Sequence, residues 1–264
     1  QEKIPYIVAT LIFAAIAWYG KTGVIDSSTT IEKLLIAPLS TVFYLQKILI
    51  PTGLAVIYPL TGSIDVLSTR VLVPIALSIG LLILGLTHIR KNKYIFFGLV
   101  FFAITLSPSL LNFSKGDYIY FASDRYAYIP MIGILYLLAT ALYVLFDRYQ
   151  KLITGVLCLT LLSLSVLSVK QSLIWSDSEM LFTHNIRYYP DAHTAHNNLG
   201  NIYRTRNEPN LAIESYKEAF RLSEEFGRGA TAPKSMSKIL SNLASSYRAA
   251  SDNASASEAL SKAI

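Results

Sequence analysis

Cysteine is nearly absent from this chain. Cys158 is the only one among 264 residues, so no disulfide can form within it and disulfide-scaffold folds are excluded. Charge is scarce as well: 15% of residues are Asp, Glu, Lys or Arg, against roughly a quarter in an average soluble domain. So apolar a composition excludes intrinsic disorder, and 10 prolines with 13 glycines in no fixed period exclude collagen. There is no glycine-rich loop to cradle a phosphate and no Ser/His/Asp arrangement. What the chain has in abundance is hydrophobic side chains, at 53%, with a net charge of +6. A basic excess can signal nucleic acid, but here it lies wholly in residues 1–174, which hold 13 Lys/Arg and 7 Asp/Glu, whereas 175–264 hold 10 of each. Nucleic acid is therefore not expected as a partner. The division predicts a membrane domain over 1–174 and a neutral, water-exposed domain over 175–264.

Apolar runs of about 17–25 residues are long enough to cross a bilayer as helices. Val71–Ile89, Tyr94–Leu111, Tyr128–Phe146 and Leu152–Val169 qualify, and Ile4–Tyr19 is a shorter fifth run ending in the interfacial pair Trp18 and Tyr19. Two short connections are basic, one through Arg90, Lys91 and Lys93, the other through Arg148 and Lys151. The positive-inside rule puts both in the cytoplasm. The segment Asn112–Ala127 and everything after Val169 are then expected outside. Residues 34–60 contain Pro38, Pro51 and Pro59 and are read as interfacial or re-entrant, with a proline-kinked span as the alternative.

In the second domain, residues 193–226 fit one 34-residue tetratricopeptide repeat. Leu199, Gly200 and Tyr203 fall in its first helix, and Ala212, Tyr216 and Ala219 in its second. Small residues stand where the two helices approach, and large ones fill the space beside them. A shift of 44 brings the pattern back as Leu243, Ala244, Tyr247, Ala256, Leu260 and Ala263, a partial repeat over 237–264. Phe182 and Pro190 mark a half repeat over 175–190. The expected fold class is all-α: a multi-span helical membrane domain followed by a tetratricopeptide-repeat solenoid. A start at Gln1 and a stop within the last helix lead us to expect a C-terminal piece of a longer protein.

The outward segment ends in Ser123-Asp124-Arg125-Tyr126-Ala127-Tyr128-Ile129-Pro130. An acid beside a base at the mouth of a span is costly unless paired or used. Arginine's planar fork grips phosphate with two bonds, and tyrosine rings suit headgroups or the face of a sugar. The same residues also read as an aromatic belt with an Asp–Arg pair reaching water. His184, His193 and His196 lack a carboxylate or cysteine to complete a set, so no metal is expected. Cys158 reads as packing within a span. Asn112-Phe113-Ser114 and Asn253-Ala254-Ser255 fit the glycosylation sequon.

The order of these features, from Asp124–Pro130 to Trp175 and then the Asn197-Asn198-Leu199-Gly200-Asn201 stretch, resembles the C-terminal part of the transmembrane and tetratricopeptide-repeat O-mannosyltransferase-like proteins, of the GT-C glycosyltransferase superfamily, bacterial relatives included. The segment from Tyr44 through Pro51 to Pro59 is similar as well. The resemblance implies transfer of a sugar from a polyprenyl-phosphate donor to a protein acceptor on the extracytoplasmic face. It implies Arg125 as holder of the donor phosphate, with Asp124, Tyr126 and Tyr128 supporting the pocket. It places the acidic catalytic residue in a first outer loop that these residues do not include, so no catalytic residue is assigned and this piece alone is expected to be inactive. Asn197, Asn198 and Asn201 are expected to line a groove for peptide, or equally to be ordinary repeat-surface residues. The alternative to an enzyme is a non-enzymatic, membrane-anchored scaffold that binds partner proteins through its repeats.

Overall fold

The computed structural model describes residues 30–59, 65–110, 114–115, 118–226 and 232–263, together with Val8 and Ile12. The Ile4–Tyr19 run, apart from those two helical positions, and the first two residues of the Asn112 sequon lie outside them. Among the described residues there are nine α-helices: α1 (Thr30–Leu49), α2 (Thr69–His88), α3 (Lys93–Leu110), α4 (Pro130–Ile174), α5 (Ser178–Tyr188), α6 (His193–Thr205), α7 (Pro209–Phe226), α8 (Ala232–Ala249) and α9 (Asn253–Ala263). The fold is all-α apart from a small antiparallel sheet, which the sequence pattern did not lead us to expect. Its strands β1 (Tyr58–Pro59), β2 (Ser114–Lys115) and β3 (Tyr118–Ala122) lie in the order β1-β3-β2.

Three helices, α2, α3 and α4, are long and apolar enough to cross a membrane. Their large side chains face outward: Leu82, Leu159 and Leu162 are each more than 60% exposed. A protein surrounded by water buries such residues, and an apolar surface this extensive marks contact with lipid or another apolar partner. In the 34–60 segment, α1 carries Pro38 within it, its apolar part Leu34–Leu49 is shorter than a span, and an irregular stretch leads from Ile50 to β1.

Two separate spans with a loop over 147–151 are expected from the sequence, but the helical pattern runs through that region, broken at Tyr149 (φ −129°, ψ 33°). A straight helix of 45 residues would hold its ends about 67 Å apart. Yet Tyr128, before its start, and Leu164 and Leu167, near its end, line one groove. The helix therefore doubles back at Tyr149, and its two arms correspond to the two apolar runs. The first arm packs antiparallel to α3, pairing Gly98 with Gly133 and Tyr94 with Tyr136. α2 and α3 meet in the same sense at Gly85 and Leu99. The basic turns at Arg90–Lys93 and Arg148–Lys151 thus lie toward one end of the helices, and Asp124, the 50–59 stretch and α5 toward the other.

Beyond α5 the chain forms two helical hairpins, α6–α7 and α8–α9, joined side by side through α7 and α8. Their turns repeat at a shift of 44. Asn207 and Ser251 both adopt positive φ (60° and 65°), and the N–H of Glu208 to Tyr203 O and of Asp252 to Tyr247 O both measure 2.9 Å. Ala212, Tyr216 and Ala219 of α7 are fully buried against Ile239, Leu240 and Leu243 of α8. At Gly200 a β-carbon would stand 2.7 Å from the Tyr216 ring, so this crossing needs glycine.

Candidate functional site

The segment singled out in the sequence forms a tight corner between β3 and α4, a 3₁₀ turn over Asp124–Ala127. Ser123 holds it from inside. Its N–H donates to Tyr44 Oη at 3.0 Å, the Tyr44 hydroxyl donates to Ser123 O at 3.2 Å, and the Ser123 hydroxyl donates to Val56 O at 3.0 Å. A turn whose backbone is spoken for on both sides fixes where the next side chains point.

Asp124 points inward. Its Oδ1 accepts from the Tyr58 hydroxyl at 2.5 Å, and Tyr58 Oη in turn accepts from the Ala55 N–H at 2.9 Å. Oδ2 is buried with no hydrogen-bond partner among the described residues, an arrangement that disfavours the charged carboxylate. Burial accordingly pushes the Asp124 carboxyl above the usual range, against the Tyr58 bond and the Lys47 charge. Burial lowers Lys47, which the nearby Asp124 opposes. Lys47 donates to Thr52 O at 2.6 Å, Gly53 O at 3.2 Å and Tyr189 Oη at 3.3 Å. Tyr189 is pushed up to about 12, by burial first and the Asp124 charge second.

From α5, the Ile57 N–H donates to Asn185 Oδ1 at 3.0 Å, His184 Nε2 lies 3.1 Å from Leu54 O, and Tyr189 donates to Gly53 O at 3.2 Å. Residues far apart in sequence thus converge on the 51–58 stretch: Tyr44 and Lys47 from α1, Ser123 and Asp124 from the corner, and His184, Asn185 and Tyr189 from α5 and its C-terminal cap. Sequence reasoning singled out Asp124 but missed Lys47, Tyr58, Asn185 and Tyr189 as its surroundings.

Arg125 and Tyr128 point the other way. Arg125 is exposed, its guanidinium 5.1 Å from the Tyr126 ring centre and Nη2 3.4 Å from Tyr126 Oη. Tyr128 is 66% exposed and lines the groove shared with α4. The corner therefore separates the acid from the base: Asp124 anchors the turn through Tyr58, and Arg125 with Tyr126 is presented outside. A carboxylate aimed at Tyr58 supports Arg125 through the backbone of the turn, in place of the side-chain pair the sequence suggested.

In the hairpins, Asn197 is 1% exposed and its Oδ1 accepts from Asn242 Nδ2 at 3.3 Å. Asn201 Oδ1 accepts from the Tyr216 hydroxyl at 2.7 Å and from Asn242 Nδ2 at 3.4 Å. Asn198 is half-buried. Asn197 thus spends its Oδ1 inside the fold, which corrects the expectation of a groove-lining side chain there, while Asn201 and Asn242 are partly accessible. Asn242 escaped notice, though the 44-residue shift carries Asn198 onto it. Arg206 ties α6 to α5 through Glu179, which also accepts from the Tyr203 hydroxyl at 3.1 Å.

The histidines are occupied locally, His196 Nε2 lying 3.0 Å from Pro190 O. Burial, then the neighbouring His196, depresses His193 to about 4. A histidine held below its unfolded value of 6.5 contributes stability that is complete above that pH and lost as pH falls toward 4. Thermal unfolding of the hairpins should show a loss of roughly 3 kcal/mol across that window. His193→Gln should flatten the profile; an unchanged slope would show that His193 is not the group responsible.

Compared with known protein families, with curated proteins and with solved structures, the chain matches none.

Proposed function

We propose that these residues are the C-terminal part of an integral-membrane glycosyltransferase of GT-C type, which moves a sugar from a polyprenyl-phosphate donor to a protein acceptor. On this reading α2, α3 and both arms of α4 cross the bilayer, and the basic turns face the cytoplasm. The hairpins are tetratricopeptide-type repeats on the extracytoplasmic side that present the acceptor. Asn198, Asn201 and Asn242 are their peptide-facing amides.

The observation that carries the proposal is the corner itself. A buried lattice through Ser123, Asp124 and Tyr58 holds Arg125 exposed beside an aromatic ring at the head of a span-length helix. A fixed guanidinium at the membrane surface can grip a lipid phosphate with two charge-assisted bonds, and Tyr126 alongside can stack on a sugar. The second domain is fastened to the stretch that supports this corner, so an acceptor bound to the hairpins would be held close to it.

Two experiments test the reading. Wild-type intact protein, reconstituted with a labelled mannosyl polyprenyl phosphate, should label a peptide acceptor; partner binding with no transfer would support the scaffold reading. In a Cys158→Ser background, Ser176→Cys should react with a membrane-impermeant maleimide added from outside the cell. Protection there, with labelling only after lysis, would reverse the orientation.

A further inference from the structure

Between α1, the start of α2 and the C-terminal end of α5 lies a groove of about 440 Å³, within the range of small-molecule sites. Each wall follows from its local structure. Leu39, Val42, Phe43 and Gln46 recur at helical spacing and form one face of α1. Arg70 and Pro74, one turn apart, form a strip of α2. The first turn of that helix is set at Ser68, whose carbonyl accepts from the Val71 N–H at 3.0 Å and the Leu72 N–H at 2.9 Å. The third wall is the run from Tyr188 to Asp191, where α5 ends. There the Ala192 N–H donates to Tyr189 O at 3.1 Å and the His193 N–H to Asp191 O at 2.9 Å, which pins the turn that carries Asp191.

Two charges of opposite sign stand on separate walls, Arg70 and Asp191, and among the described residues no other Asp, Glu, Lys or Arg lines the groove. They do not pair with each other, and neither side chain has a hydrogen-bond or ion-pair partner among the described residues. Asp191 is half-buried. Pro74 has no N–H to give the Arg70 carbonyl four residues back, which leaves one more acceptor on that wall. A simple anion would meet Arg70 but face Asp191, and a simple cation the reverse. A ligand bearing both an ammonium and an anion satisfies the two together. Half-buried Leu39, Val42 and Phe43 give the groove an apolar side, and beyond Pro74 the strip continues as exposed Leu77 along a span-length helix. We propose that this groove holds the headgroup of a phospholipid with a primary amine. Its phosphate lies on the Arg70 fork, its ammonium on Asp191, and its acyl chains leave along Pro74 and Leu77. A polyprenyl phosphate has no amine and would leave Asp191 unmet, so this occupant differs from the donor of the reaction proposed above. The inference rests on α2 lying in the bilayer and is independent of which reaction the protein performs.

Equilibrium binding of acyl-labelled phosphatidylethanolamine to the purified full-length protein in detergent tests it. Saturable binding is expected. Unlabelled phosphatidylglycerol, which lacks the amine, and phosphatidylcholine, whose quaternary amine has no N–H, should each displace the probe roughly ten- to hundredfold less well than unlabelled phosphatidylethanolamine, the loss of one charge-assisted contact. Asp191→Asn should abolish that preference and bring phosphatidylethanolamine and phosphatidylglycerol to similar affinity. Arg70→Gln should weaken both by about tenfold or more. Displacement by phosphatidylglycerol or phosphatidylcholine as effective as by phosphatidylethanolamine would overturn the proposal, since it indicates ordinary boundary lipid. So would effective displacement by glycerophosphoethanolamine, which indicates a soluble zwitterion, or by farnesyl phosphate, which indicates the donor. An Asp191→Asn protein that melts as wild type does and keeps the full preference would also overturn it. The lipid comparison on the wild-type protein decides the matter where a variant fails to fold. Amine-selective binding without sugar transfer would count against the proposed function and leave this inference standing.

Discussion

Gly133→Ala is expected to destabilise the protein by on the order of 3 kcal/mol, whereas the same substitution at Gly155 should be neutral or stabilise it by roughly 0.5–1 kcal/mol. A β-carbon at Gly133 would stand 2.5 Å from Gly98 O and 2.9 Å from Phe102 N. Both are backbone atoms of α3, so relief requires the helices themselves to part. Ile134, Phe102 and Leu106 pack in the same contact and join the core around Tyr44 and Tyr58, so separation would propagate to the corner that carries Arg125. Around Gly155 nothing lies within 4 Å, and alanine there gains only helix propensity. Thermal unfolding of the two variants in one detergent compares them directly. Midpoints that shift in the same direction would mean that α3 and α4 do not meet at backbone distance.

Asp124→Ala should cost roughly 2–4 kcal/mol. The substitution leaves the Tyr58 hydroxyl without its acceptor and removes the carboxylate whose charge offsets the partly buried Lys47. Because Lys47, Tyr189, His184 and Asn185 all fasten the 51–57 stretch, the loss should also loosen the attachment of α5 to that stretch. Limited proteolysis should cut faster there than in the hairpins. Adding Lys47→Met to Asp124→Ala removes the stranded cation, and the double variant should recover at least about 1 kcal/mol relative to the sum of the singles. Strict additivity would show that the two side chains do not interact.

The helices were legible because burying or lipid-exposing an apolar face leaves a period in the sequence. The runs Tyr128–Phe146 and Leu152–Val169 appear as the two arms of α4, and the 44-residue shift appears as two hairpins with matching turns at Asn207 and Ser251. The reversal at Tyr149 was expected, but as a loop, since Arg148 and Lys151 look the same in a loop as in a helix that bends between them. Least legible was the support of Asp124. Tyr58 is 66 residues away, Lys47 is farther still, and Tyr189 lies beyond the whole of α4, at the C-terminal cap of α5. No local spacing encodes such contacts, which arise only once α1, the corner and α5 close around one irregular stretch. Lys47, the lone charge in the apolar Leu34–Leu49 part of α1, was the available signal, whereas Asn185 sits among the polar residues of α5 and offered none.

Sugar transfer by the intact, reconstituted protein, comparing wild type with Arg125→Ala and Arg125→Lys, tests the central proposal most directly. Loss of two charge-assisted bonds to phosphate should lower transfer from a polyprenyl-phosphate donor by roughly a hundredfold or more in Arg125→Ala. Lysine, a point charge without the planar fork, should restore part of it. Both variants should insert and melt as wild type does, because Arg125 lies outside the lattice that Ser123, Asp124 and Tyr58 form. Transfer at the wild-type rate in a well-folded Arg125→Ala protein would contradict the account.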